Sequence, residues 1–285
     1  MKAETDLGNG LTGFGKYEWD VDENDFLIRQ RIVGVKGDFG KVTLGKTYHT
    51  FYNYVVGPAD SPWWVSGYAI ISYRGRTDDG LSYNYSSDAF NFGVTAYMFR
   101  EDGTAAVAAV PASTATDPLT VGNVAVAAVP GNEEAIDQLE VGVSFGIGDM
   151  TLGIALLTTE DDSVLGTGVE IGNGSDEDIL GFSLSGISLG DASLGFGLQT
   201  QDEDTSFLAD LLIGDLYIHV EQESLDAGSK ANTADEDRLG ITIGYTQSLG
   251  KDTLIYYELY SLDNDTGDSN DDLTAVMAVL KYNLL

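Results

Sequence analysis

The sequence has no cysteine, only five prolines and two histidines, and 14 lysines and arginines against 46 aspartates and glutamates. Without cysteine, disulfide frameworks, thiol nucleophiles and Cys-based metal sites are excluded. No apolar run reaches the roughly 18 residues of a membrane-spanning helix. No basic stretch followed by an apolar one reads as a secretory leader. A net charge of -32 repels polyanions, so no nucleic acid partner is expected and cations are the natural counterparts. An acidic solvated surface accounts for much of that charge. The scarce bases are unevenly placed, with nine of the 14 in positions 1–76 and none between Glu101 and Gly228.

What is present is alternation. In "LEVGVSFGIGD", Leu139, Val141, Val143, Phe145 and Ile147 point one way, and Glu140, Gly142, Ser144 and Gly146 the other. "MTLGIALLT" follows after a tight turn with Met150, Leu152, Ile154 and Leu156 against Thr151, Gly153 and Ala155, which predicts a hairpin. The pattern recurs along the chain and predicts about 14 strands of roughly nine to twelve residues. Tight connections such as "DFG", "GDM", "LGDAS" and "LGKD" alternate with longer acidic ones: "DVDEND", "TTEDDS", "QDEDTS", "ESLDAGSKANTADED" and "LDNDTGDSNDD". Short turns at one end and long loops at the other predict an all-β, transmembrane, antiparallel up-and-down barrel. A soluble sandwich alternates too, but its strands are shorter and its core side chains larger. Here the polar face is mostly Gly, Ser, Thr and carboxylates, which suit a water-filled lumen. Residues 1–285 read as a single barrel domain. Residues 100–138, with "AVAAVP" at 106–111 and again at 125–130, read as a long external loop.

Three stretches resemble the general trimeric porins of Gram-negative outer membranes. "ETDLGNGLTGFGKYEW" (4–19) is similar to that family's turn and strand closing the first hairpin. "RQRIVGVKGDFGKVTLGKTY" (29–48) resembles its strand, tight turn and "G-[RK]" strand. "GPADSPWWVSG" with "GRTDDGLSYNYSS" (57–87) is similar to its inward-folded constriction loop and the next strand. The resemblance implies a barrel of about sixteen strands, of which about 14 plus a stub are counted here. Aligned on "ETDLGNGL", the chain is expected to lack a leader, a first strand and most of a second, with a seam between the strands at Thr12 and Val276. Where the family ends on an aromatic residue, this chain ends "LKYNLL", with Leu284 in the aromatic position and Leu285 beyond it.

The resemblance further implies passive diffusion of small hydrophilic solutes and ions, a homotrimer in contact with outer-membrane lipid and lipopolysaccharide, and an outer-membrane location. It assigns residues 57–79 to a constriction loop. Asp60 is its main acid, with Asp78 and Asp79 as further candidates, and Trp63 and Trp64 would either pin it to the wall or stand as interfacial aromatics at a strand end. The facing basic wall is assigned to Lys16, Arg29 and Arg31, the latter two on one face, with Lys46, Arg74 and Arg76. Strict alternation points Lys46 toward lipid, and a bulge at Gly45 would turn it inward. Glu18, Glu140, Asp210, His219, Glu221 and Glu258 fall on the polar face and are expected to line the pore. With carboxylates in excess, a weak to moderate cation preference is expected.

An enzyme is not expected, since His49 and His219 are the only imidazoles and His219 reads as a lumen hydrogen-bonding group. No cofactor or metal centre is expected. "DVDENDF" (20–26) begins like a calcium loop, but Asp25 stands where glycine is needed, leaving only loose divalent binding by external acidic loops. The alternatives are a substrate-specific channel, and an adhesin or receptor on the same barrel acting through 100–138.

Overall fold

A computed structural model describes residues 1–21, 26–62, 67, 69–72, 76–77, 80–97, 136, 138–159, 178–225, 236–251, 253–264 and 272–282. The strands are β1 (Lys2–Gly8), β2 (Leu11–Val21), β3 (Phe26–Gly37), β4 (Gly40–Tyr48), the two-residue β5 (Arg76–Thr77), β6 (Gly80–Ser86), β7 (Phe90–Tyr97) and β8 (Gln138–Ile147). They continue with β9 (Met150–Thr159), β10 (Ile179–Leu189), β11 (Ala192–Gln201), β12 (Asp204–Ile213), β13 (Leu216–Leu225), β14 (Glu236–Gly250), β15 (Thr253–Asn264) and β16 (Leu273–Tyr282). All but β5 pair in chain order, each antiparallel to the next, and β5 pairs only with β4. The 14 full strands and the stub agree with the alternation counted in the sequence.

Among the described residues no ladder joins β1 to β16, so the sheet is not closed. The seam lies one strand away from the expected position, because Lys2–Gly8 forms β1 and pairs with β2 from Lys2↔Lys16 to Gly8↔Leu11. Gly8, Asn9 and Gly10 all take positive φ (81°, 53° and 77°), the backbone that a tight hairpin demands and that Asn and Gly tolerate.

Alternation works as read. In β8, Gln138, Glu140, Gly142 and Ser144 are buried on the inner face, while the side chains between them face outward. Outward Leu and Val are at home in lipid, and the ladder satisfies the backbone groups that lipid cannot. One connection departs from expectation. "QDEDTS" is a two-residue turn at Asp202 and Glu203 between β11 and β12, because Asp202 adopts φ 51°, a left-handed conformation that aspartate accepts more readily than most residues.

The connection from β4 to β6 folds into the lumen. It turns inward at Thr50, earlier than the expected Gly57, through a π-helical turn (Tyr52–Val56) and a 3-10 turn (Gly57–Ala59). Phe51, Tyr54, Val55, Val56, Ala59, Ile70 and Ile71 form an apolar cluster with Ala155, Leu157, Ile179 and Leu208 of the wall. Burial of each large side chain contributes about 1.5–3 kcal/mol. The wall is bare where the loop lies on it. A Cβ at Gly153 would sit 2.1 Å from the Tyr54 carbonyl oxygen, and one at Gly195 would sit 2.6 Å from that of Pro58. The lumen-facing glycines of β9–β11 are therefore the bed of the loop.

Trp63, Trp64, Arg74, Asp78, Asp79, Leu284 and Leu285 lie outside the described residues, as do residues 98–135 and most of the external acidic loops.

Gly153→Val is expected to unseat the loop, costing about 1–3 kcal/mol in heat unfolding in detergent and raising single-channel conductance. Gly146→Ala, with nothing within 4 Å of its Cβ, should leave both unchanged.

Candidate functional site

Two chemically different walls flank the loop. On β2 and β3, Glu18 holds two bases, with Lys16 Nζ at 2.6 Å and Arg29 Nε at 3.1 Å from its carboxylate oxygens. Lys16 also donates to Gln30 Oε1 at 2.8 Å. Arg29 reaches Glu18 because β3 carries a one-residue irregularity there: Glu18 pairs with Gln30 and Trp19 with Ile28, which leaves Arg29 between them. Lys281 on β16 feels the charges of Glu18, Arg29 and Lys16, so the far end of the chain joins this corner. Further along the same inner face Lys36 pairs with Glu4 at 2.7 Å.

Arg31 does not share a face with Arg29. It stands in register with Tyr17 and Lys46, in the row system of the exposed Val33 and Leu44, because the irregularity at Arg29 shifts the alternation by one. Nor is there a bulge at Gly45 in the β3–β4 ladder, whose register runs unshifted from Gly37↔Gly40 to Arg31↔Lys46. Gly45 instead takes φ 113°, and a Cβ there would meet the Arg31 carbonyl oxygen at 2.2 Å.

Asp60 ends the 3-10 turn and accepts a hydrogen bond from Tyr52 Oη at 2.8 Å. Tyr52 stacks on Tyr48 with ring centroids 4.3 Å apart. Arg76 lies over the Tyr48 ring at 4.7 Å and donates to its hydroxyl. A base and an acid picked from sequence are thus joined through two stacked tyrosines, a relay invisible in spacing alone. Deeper in the loop, burial pushes the Tyr54 phenol up to about 12, so it stays a neutral hydroxyl.

The opposite wall is acidic, and its carboxylates are covered. Glu140, Asp210, His219, Glu221 and Glu258 point inward as expected, but all are at most 2% exposed. The loop and neighbouring wall side chains seal them from pore water. Glu140 accepts from the Phe51 backbone N–H at 2.7 Å and from Tyr97 Oη at 2.6 Å. Asp210 accepts from Ser61 Oγ at 2.7 Å and meets His219 Nδ1 at 2.7 Å. Glu221 accepts from the Gly67 N–H at 2.6 Å and from Tyr260 Oη at 3.1 Å, and Tyr217 donates to Glu258. Gln199 takes both backbone groups of Ser72, and Ser206 accepts from the Ile71 N–H. These groups fasten the loop. Their partners lie more than 80 residues away in most cases, so no local spacing marks them. Lys281 and Lys36 were missed for a simpler reason: each stands alone in an otherwise apolar or small run. His49, the other imidazole, is buried against the Tyr97 ring at 4.8 Å. Among the described residues no group of three metal-ligating side chains is gathered.

A membrane-type barrel whose lumen is narrowed by a fastened, inward-folded loop defines a channel of the outer membrane. The family model of the Gram-negative porin matches residues 1–267, and the chain belongs to that family, which places it in the outer membrane. No curated protein matches the sequence. Among solved structures it is similar to a loop L8 deletion mutant of OmpT from Vibrio cholerae, at 20% identity and TM-score 0.62, covering 99% of this chain and 88% of that one. It is also similar to the anion-selective porin from Comamonas acidovorans (18%, 0.59, 99% and 84%) and to Salmonella typhi OmpF in complex with daunomycin (16%, 0.60, 98% and 88%). At these identities the likeness is one of fold.

Glu140→Leu removes the acceptor of the buried Phe51 N–H, at a cost of about 1–3 kcal/mol, and the Tyr97 Oη bond with it. Circular dichroism during heating in detergent should show a lowered midpoint, partly restored by Glu140→Gln, which keeps an acceptor.

Proposed function

We propose that this porin is a passive diffusion channel for small hydrophilic solutes and ions, with a weak to moderate cation preference. Selection is set where the loop narrows the lumen. Lys16, Arg29 and Lys281 provide the positive wall, Glu18 tempers it, and Asp60 is the loop carboxylate that opposes it. The observation that carries the reading is the segregation of charge across the lumen, with bases gathered at the β2, β3 and β16 corner and carboxylates behind the loop. Burial hides those carboxylates from contact but leaves their charge. At an effective dielectric near 20, one such charge about 10 Å from a permeating ion contributes on the order of 1.5 kcal/mol. Neutral donors, the Phe51 N–H for Glu140 and the Tyr217 hydroxyl for Glu258, hold these two groups without cancelling them, so the summed field favours cations. A field across the pore also orients dipolar solutes as they pass.

Assembly as a homotrimer against outer-membrane lipid and lipopolysaccharide belongs to the same reading. It is supported by a similar structure, Vibrio cholerae OmpT in its trimer form (17% identity, TM-score 0.58). Loose divalent binding belongs to the acidic external loops.

Reversal potentials across a KCl gradient in planar bilayers test the reading. Wild-type protein should prefer potassium, Asp60→Asn should lower the permeability ratio by roughly twofold, and Lys16→Gln with Arg29→Gln should raise it by a similar factor. A wild-type reversal potential of anion-selective sign would overturn it.

A further inference from the structure

Beneath the loop, at the barrel end that carries the short turns, the lumen wall and the underside of the loop enclose an open cavity of about 710 Å³. Its volume falls within the range of about 300–1,000 Å³ usual for small-molecule sites. Its lining differs in kind from both walls of the constriction. It contains one base, Lys41, and one acid, Asp38, so its formal charge balances, and most of the rest is amide, hydroxyl and tyrosine.

The ladder explains how these groups meet. Lys41 pairs with Asn84, and Asn84 with the bare Gly93. One row nearer the turns, Ser86 pairs with Asn91 and Asn91 with Ser144. Both rows lie on the inner face. Tyr54 and Asn53 of the loop close the cavity from above. Tyr54 reaches this position because the wall beneath its ring is glycine: a Cβ at Gly93 or Gly142 would come within 2.8 and 2.7 Å of ring carbons.

Most polar groups elsewhere in the lumen are engaged. Here several are not. Among the described residues no hydrogen bond or ion pair engages the side chains of Lys41, Asn84, Ser86 or Asp38. Lys36, the charge that acts on Lys41, is itself paired with Glu4. Asn91 donates once, to Ser144 Oγ at 3.1 Å, and Asn53 once, to the Tyr48 carbonyl at 3.1 Å, which leaves each amide oxygen and a second N–H available. The cavity therefore presents interleaved donors and acceptors with balanced charge and an aromatic roof.

We propose that this cavity is a binding site for a neutral, polyhydroxylated solute of mono- to disaccharide size, on the turn side of the constriction. A hydroxyl both donates and accepts, so it matches a lining of amides and hydroxyls. Lys41 supplies a fixed donor and Asp38 a fixed acceptor. An anion would gain Lys41 but face Asp38 and the acidic lumen, and a cation would meet Lys41. The inference rests on the channel reading above, for it names a solute class that this pore holds in transit.

The test is ion current through full-length protein in planar bilayers, with maltose, a polyethylene glycol of matching size, or gluconate added on either side. Maltose on the turn side should lower the current saturably, with half-saturation on the order of 10 mM, while the glycol gives only a linear volume effect. Asn84→Leu with Ser86→Ala should raise the maltose half-saturation at least fivefold, with KCl conductance unchanged as the check of folding. Lys41→Gln should weaken maltose less than the double variant does. If wild-type protein forms no channel, the porin reading falls and this inference with it. If it conducts but maltose and glycol act alike, or the double variant keeps the wild-type half-saturation, this inference alone falls. Stronger interruption by gluconate than by maltose would overturn the neutral class.

Discussion

The structure depends on one interaction type: a wall carboxylate, buried under the loop, accepting a hydrogen bond from the loop itself. A segment crossing a lumen leaves strand pairing behind, so its N–H groups need other acceptors. Glu140 supplies one to Phe51 and Glu221 one to Gly67. Burying a carboxylate is costly unless its oxygens are filled, and each of these two accepts a second bond from a tyrosine hydroxyl, Tyr97 and Tyr260. Charge-assisted bonds of this kind are roughly twice as strong as neutral ones. The loop and the acids need each other, and the free cross-section of the pore follows from where they meet.

That mutual requirement explains the composition of the inner face. Glycines that read as lumen filler are the positions where the loop backbone touches the wall, as Gly153 does at Tyr54 and Gly195 at Pro58. A larger residue would hold the loop off, and the carboxylates would lose their donors. Small residues and acids on β8–β13 are thus two parts of one docking surface. The vestibule below follows from the same placement, since Tyr54 roofs it only because Gly93 and Gly142 are bare.

Much of the architecture was legible in the sequence because its causes are local. Period-2 alternation, turns at Gly and Asp, and strand number all come from neighbours a few residues apart. The inward faces of Glu140, Asp210, His219, Glu221 and Glu258 followed from parity alone. What escaped depends on distant partners or on breaks in parity. The loop begins at Thr50 because Phe51, Tyr54, Val55 and Val56 find apolar wall residues more than 90 positions away. Arg29 and Arg31 part company because of a single unpaired position. "QDEDTS" resembles the acidic loops in composition, yet a left-handed backbone at Asp202 makes it a two-residue turn. Parity also could not say that a carboxylate facing the lumen is covered, since that is a property of the loop.

An up-and-down barrel adds a rule that makes the uneven charge of the chain intelligible. Strands follow one another in space in the order they follow in sequence, so position along the chain becomes angle around the pore. A sequence that concentrates bases in its first 76 residues and has none between Glu101 and Gly228 therefore builds a lumen with one arc where bases offset the acids and a negative arc where acids stand without them. Lys281, last among the bases, does not break the pattern, because β16 comes round to the side of Glu18 and Arg29. The loop leaves from the base-bearing arc at β4 and is fastened across the negative arc from β8 to β13. Lys16 and Arg29 stay partly exposed, while the acids of β8–β13 lie buried behind the loop. In the channel proposed above, an ion meets the bases in water, where screening is strong, and the covered acids are screened less. Contact and long-range field then differ in sign, which keeps the net preference of the proposed channel modest.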